Sequence, residues 1–163
     1  MTFQLIESAA ASKSELYEFL ATQLSHLLAE ERDLIANAAN TSALLFHSLP
    51  EINWVGFYFL KEGELVLGPF QGKPACGRIT VGRGVCGTAA ARRETVLVPN
   101  VHEFPGHIAC DSASNSEIVI PLLNRDQLIG VLDLDSPDFG RFDDHDARGL
   151  NELAQMLIER SEA

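Results

Sequence analysis

Three cysteines, Cys76, Cys86 and Cys110, fall within 35 consecutive positions. A cysteine attacks, exchanges disulfides or ligates a metal as its thiolate, so its surroundings decide whether it reacts. The spacing holds no Cys-x-x-Cys, which removes both a thioredoxin-type dithiol and a zinc ribbon. Cys86 sits in Gly84-Val85-Cys86-Gly87, at the expected start of a short helix. A helix N-terminus can lower a thiol pKa, and on that ground Cys86 is expected to be the most acidic of the three. Cys110 lies in His107-Ile108-Ala109-Cys110-Asp111, in a loop ahead of a strand, where a thiol can reach a ligand. Free cysteines are also common as small buried hydrophobes, and any one of the three could be that.

Three carboxylates form the second group. Leu132-Asp133-Leu134-Asp135 ends an apolar stretch, and strand alternation puts Asp133 and Asp135 on one face. Glu117 opens the preceding strand, and a hairpin brings it towards both. Clustered carboxylates repel, which raises at least one pKa and creates a proton donor; together they also suit an ammonium group. Trp54 and Tyr58, four apart on one strand, share a face and could wall a small pocket, whereas Phe57 and Phe59 point the other way. His102, His107 and Cys110 have zinc-compatible types, but His-x4-His-x2-Cys matches no familiar pattern. No metal is expected.

The chain carries 12 basic and 23 acidic residues, a formal charge of -11. That counts against nucleic acid and anionic membranes as partners, since both reward a basic surface, and neither is expected. The balance is uneven. Residues 71–110 hold 5 basic and 2 acidic side chains, and this one basic segment contains all three cysteines. Three cysteines cannot all pair within one chain and are too few for a disulfide-stapled scaffold. No apolar run approaches the ~20 residues needed to span a bilayer, and residues 1–11 lack the features of a signal peptide. A reduced, cytoplasmic protein is the expectation.

The elements that must position these groups can be read from periodicity. Ser14, Glu15 and Glu18 look like a helix start, followed by Leu16, Phe19, Leu20, Leu24, Leu27 and Leu28 at helical spacing. A second helix is predicted over Arg32–Ser48, ahead of Pro50. Asn53–Leu60 and Glu64–Phe70 read as a hairpin turning at Lys61-Glu62-Gly63, and Glu117–Leu123 and Leu128–Asp135 as another. A final helix is predicted over Asp143–Ser161. Between the hairpins, residues 71–115 read as long loops around one short helix (Gly84–Arg93) and one short strand (Thr95–Val98). Loops beyond ~15 residues in a compact domain are usually functional. The expected fold class is α+β: one domain over residues 1–163, a central antiparallel sheet, N- and C-terminal helices packed on one face, and long active-site loops. Helices flanking a single sheet are compatible with a homodimer.

The motifs in order are Trp54-Val55-Gly56-Phe57-Tyr58, Leu67 through Cys76, Gly82-Arg83-Gly84-Val85-Cys86-Gly87, His107 through Asp111, Ser116 through Pro121, and Gly130 through Ser136. This set resembles the free methionine-(R)-sulfoxide reductases, which are built on a GAF domain, over about residues 14–160. One departure is Asn100, where an acidic residue is expected. The resemblance implies that Cys110 attacks the sulfoxide and Cys76 resolves, with Cys86 as the third cysteine of the set. It implies that Glu117, Asp133 and Asp135 grip the substrate and assist protonation, with Trp54 and Tyr58 as aromatic pocket residues. The implied reaction passes through a sulfenic acid and an intramolecular disulfide recycled by thioredoxin, without metal or organic cofactor. The preference for the R epimer rests on the resemblance alone. Because Cys76 would have to reach Cys110, the segment from Lys73 to Arg83 is expected to move. The competing expectation is a GAF sensor that binds a small ligand in the same pocket without catalysis.

Overall fold

The computed structural model describes residues 9–108 and 111–163. Cys110 therefore lies outside the described residues. Four helices, α1 (Lys13–Leu27), α2 (Leu34–Ser48), α3 (Gly84–Arg92) and α4 (Asp144–Arg160), accompany six strands. These are β1 (Trp54–Lys61), β2 (Glu64–Gln71), β3 (Arg78–Thr80), β4 (Val96–Val98), β5 (Ser116–Asn124) and β6 (Gln127–Ser136). They form one sheet in the order β3-β2-β1-β6-β5-β4, antiparallel at every junction. The fold is the expected α+β arrangement.

The helix boundaries follow from local capping. Ser12, not Ser14, caps α1: its hydroxyl accepts from the Glu15 amide at 3.2 Å. Asp33 caps α2 through the Ala36 amide at 2.8 Å. At α4 Asp143 and Asp146 form a reciprocal capping box.

Strand alternation divides the interior into two layers. Val55, Phe57 and Phe59 of β1, Ile118, Ile120 and Leu122 of β5, and Leu132 and Leu134 of β6 face α1, α2 and α4. Fully burying each such side chain contributes about 1.5–3 kcal/mol, so this layer carries much of the stability. The alternate residues Trp54, Tyr58, Val119 and Val131 face α3, with Val85, Cys86, Ala89 and Ala90 packed against them. The site forms at one end of this second, thinner layer.

Residues 71–115 are less irregular than their composition suggests. β3 is a three-residue edge strand paired to β2, with Arg78 and Thr80 exposed and only Ile79 buried. One inward residue leaves no alternation to detect. A short 3₁₀ helix at Val101–Glu103 is capped by Asn100, whose side-chain oxygen accepts from the His102 amide at 3.0 Å. The segment expected to move is partly tied down: Ile79 pairs with Leu65, and the Leu67 amide donates to the Gly77 carbonyl at 3.0 Å. Among the described residues, no helix is long and apolar enough to cross a membrane.

Candidate active site

Register assembles the carboxylates. In the β5–β6 pair Glu117 lies opposite Asp135, and Val119 lies opposite Asp133. In the β1–β6 pair Trp54 lies opposite Asp135, and Gly56 lies opposite Asp133. Glu117, Asp133 and Asp135 thus share the α3 face, as alternation predicts, and are only 5%, 6% and 8% exposed. Gly56 is required by the Trp54 ring: a Cβ there would stand 2.5 Å from the indole Cη2.

These carboxylates line a small cavity, partly open to solvent, together with Tyr58, Arg83, Cys86, His107, Ile108 and Ser114. Burial pushes all three carboxyls well above their ordinary range, and like charge adds to it: Asp135 acts on Glu117, Glu117 on Asp133, and Asp133 on Asp135. Asp133 Oδ1 is buried without a hydrogen-bond partner. His107 Nε2 approaches Glu117 Oε2 at 3.4 Å, and burial lowers the pKa of the ring. From sequence, His107 is only a weak zinc candidate. His102, its companion there, instead contacts Asn115 Oδ1 at 2.8 Å.

Cys86 corrects the expectation from the helix terminus. The helix exists, and Cys86 lies in its first turn, but the residue is 4% exposed. Burial, followed by the charges of Asp133 and Glu117, pushes its thiol well above the ordinary value. A terminal dipole is worth about 0.3–1 kcal/mol at exposed sites. That is too little to offset desolvation beside three acids. Burial and the neighbouring carboxylates thus act against the thiolate of Cys86, the opposite of what its place at a helix start suggests.

Trp54 and Tyr58 share a face, with ring centroids 6.1 Å apart, and Trp54 also stacks on Phe70 at 5.4 Å. Tyr58 is among the described residues that line the cavity, and Trp54 is not. Both rings also hold the loop that carries half-buried Cys76. Trp54 Nε1 donates to the Lys73 carbonyl at 3.0 Å, and Tyr58 Oη donates to the Cys76 carbonyl at 3.0 Å.

The basic stretch contributes twice. Arg83 lines the cavity. Lys73 Nζ meets Asp111 Oδ1 at 3.2 Å, linking the Cys76 loop to the residue that follows Cys110 in sequence. Asp111 also accepts from the Ala113 amide at 2.9 Å and from Asn53 Nδ2 at 3.3 Å. The Ala113 bond, with Lys73 and Asn53, outweighs burial and holds its pKa below the ordinary carboxylate value. Arg83, Ser114, Asn53 and Lys73 were not singled out from sequence. For Lys73 and Arg83 the available signal was the basic excess around the cysteines.

Known proteins similar to this chain place it in a family. The GAF domain family model matches residues 15–158. The chain is 57% identical over 146 residues to the free methionine-R-sulfoxide reductase of Escherichia coli, covering 90% of this chain and 88% of that protein. It is 42% identical over 158 residues to the Saccharomyces cerevisiae reductase of the same name, covering 92% and 88%. The structure of free methionine-R-sulfoxide reductase from Neisseria meningitidis, in complex with its substrate, superposes with a TM-score of 0.93 at 47% identity, covering 98% of this chain and 95% of that one. A sheet that gathers three buried carboxylates beneath α3, in a chain this similar to those proteins over nearly its whole length, belongs to the GAF-domain family of free methionine-R-sulfoxide reductases.

Proposed function

We propose that this chain reduces free methionine (R)-sulfoxide to methionine, with Cys110 as nucleophile and Cys76 as resolving thiol. The observation that carries the reading is the buried triad of Glu117, Asp133 and Asp135, with raised pKa values, lining a cavity that Ile108 also lines. Sulfoxide oxygen is a poor leaving group unless protonated, and a carboxyl whose pKa is raised by burial and like charge is the group that can supply the proton. The remaining negative charge suits the substrate ammonium. A peptide-bound residue has no such ammonium, which selects the free amino acid.

The Cys110 thiolate attacks the sulfoxide sulfur while a triad carboxyl protonates the oxygen. The protonated oxygen then passes to the Cys110 sulfur as its bond to the substrate sulfur and the transient S–S bond break, so methionine leaves with its sulfur reduced by two electrons and Cys110 is left as the sulfenic acid. The Cys76 thiol then attacks the sulfenic sulfur, water departs, and a disulfide forms. An external dithiol of the thioredoxin class reduces it by exchange. Cys86 stays protonated and shapes the floor of the cavity beside Asp133.

Thiol counting on the reduced protein, with each epimer of free methionine sulfoxide, tests this. Loss of two thiols and release of one methionine, with the R epimer alone, is expected. Cys110→Ser should abolish single-turnover release, whereas Cys76→Ser should keep one turnover and lose recycling. A protein that binds the sulfoxide but keeps all its thiols would be a sensor, and the proposal would fall.

A further inference from the structure

Cys86 Sγ and one carboxylate oxygen from each of Glu117 and Asp133 all lie within 4.8 Å of one another, and all three residues are buried. Asp133 Oδ1, on a residue 6% exposed that lines the cavity, has no partner. Zinc held by sulfur at ~2.3 Å and oxygen at ~2.0–2.2 Å needs tetrahedral donors about 3.3–3.8 Å apart. The cluster therefore needs closure of at most roughly 1.5 Å, within the reach of side-chain adjustment. His107 Nε2, 3.4 Å from Glu117 Oε2, stands at the edge of the set. Among the described residues lining the cavity, Arg83 is the only arginine or lysine, against three carboxylates.

We propose that the reduced protein binds one Zn²⁺ through Cys86, Glu117 and Asp133, and that the bound ion closes the pocket to methionine sulfoxide. The donor set selects the metal. One thiolate with two carboxylates suits a borderline ion, whereas Mg²⁺ and Ca²⁺ require six or more oxygens. On binding, the Cys86 sulfur forms a bond to zinc and its proton passes to solvent. No electron moves, so the site is inhibitory and reversible by chelation. The exclusion of substrate rests on the reductase reading, because two of the three donors are the carboxylates assigned to the sulfoxide.

Cobalt(II) tests this as a coloured substitute for zinc. A Cys76→Ser/Cys110→Ser variant leaves Cys86 as the sole thiol in the chain. Reduced and titrated with Co²⁺, it should show a thiolate-to-cobalt absorption saturating at one equivalent, displaced by Zn²⁺ but not by Mg²⁺. Asp133→Asn, nearly isosteric and therefore expected to fold, should weaken cobalt binding at least tenfold. Methionine sulfoxide should compete for the site. Absence of the absorption, its persistence after Cys86→Ser, or full affinity in the Asp133→Asn variant would overturn the metal site. If the ion binds and the sulfoxide does not compete, the exclusion of substrate is overturned. The readout is absorbance and not turnover, so failure here leaves the reductase reading standing, and the reverse also holds.

Discussion

Tyr58 holds the backbone of Cys76: its hydroxyl donates to the Cys76 carbonyl at 3.0 Å, while its ring lines the cavity and stacks on Trp54. One side chain thus contacts both the pocket and the loop that carries Cys76, the proposed resolving cysteine. Tyr58→Phe keeps the ring and removes the hydroxyl. A lost hydrogen bond of this kind costs about 0.5–1.5 kcal/mol. The loop should then sample more positions, and disulfide formation should slow more than methionine release. Rapid-quench measurement of both steps checks this; equal slowing of the two would show that the hydroxyl acts on the pocket alone.

The carboxylate triad makes stability depend on pH with a definite sign. Glu117, Asp133 and Asp135 all have folded-state pKa values raised by burial and like charge. Stability from a raised acid is fully present below its unfolded pKa, near 4, and is lost as pH rises through the folded value. Urea midpoints should therefore fall from mildly acidic towards alkaline pH. Asp135→Asn should flatten that slope and raise stability at neutral pH by about 0.5–2 kcal/mol, at the expense of turnover. A steeper slope in the variant would contradict the arrangement.

The two ends of the Lys73–Asp111 pair should not be equivalent. The Lys73 side chain is 68% exposed and that of Asp111 only 5%. Lys73→Met loses an exposed half-pair, about 0.2–1 kcal/mol. Asp111→Ala removes the acceptor of the Ala113 amide and the Asn53 side chain as well, about 1–3 kcal/mol. Chemical denaturation of both variants measures the difference, and the Asp111 variant should also slow the first turnover.

Gly87 sets the depth of α3. A Cβ there would stand 2.5 Å from the Thr80 carbonyl oxygen, and the Gly87 carbonyl accepts from the Gly82 amide at 2.8 Å. Gly87→Ala must push the helix away from β3 and should cost about 1–3 kcal/mol. Since Cys86 travels with the helix, KM for the sulfoxide should rise. Unchanged KM in a folded variant would show that α3 does not define the pocket.

Much of this was legible from sequence because β alternation is a local rule. Asp133 beside Asp135, Trp54 beside Tyr58, and the inward Phe57 and Phe59 follow from a period of two. Both hairpins announce themselves through their turns, and α4 through Asp143 and its apolar stripe. β3 gave no such signal, since a single buried residue has no period.

What the sequence determined alone was which groups share a face, because side-chain direction along a strand depends only on position. The tertiary structure decided what those groups experience. Cys86 looks activated at a helix start, yet the sheet places it above two carboxylates and out of water, so desolvation and like charge raise its pKa. Lys73 and Asp111 are 38 positions apart and meet only because their loops converge at one end of the sheet. A pKa and an ion pair depend on distance through space, and no local spacing encodes that distance.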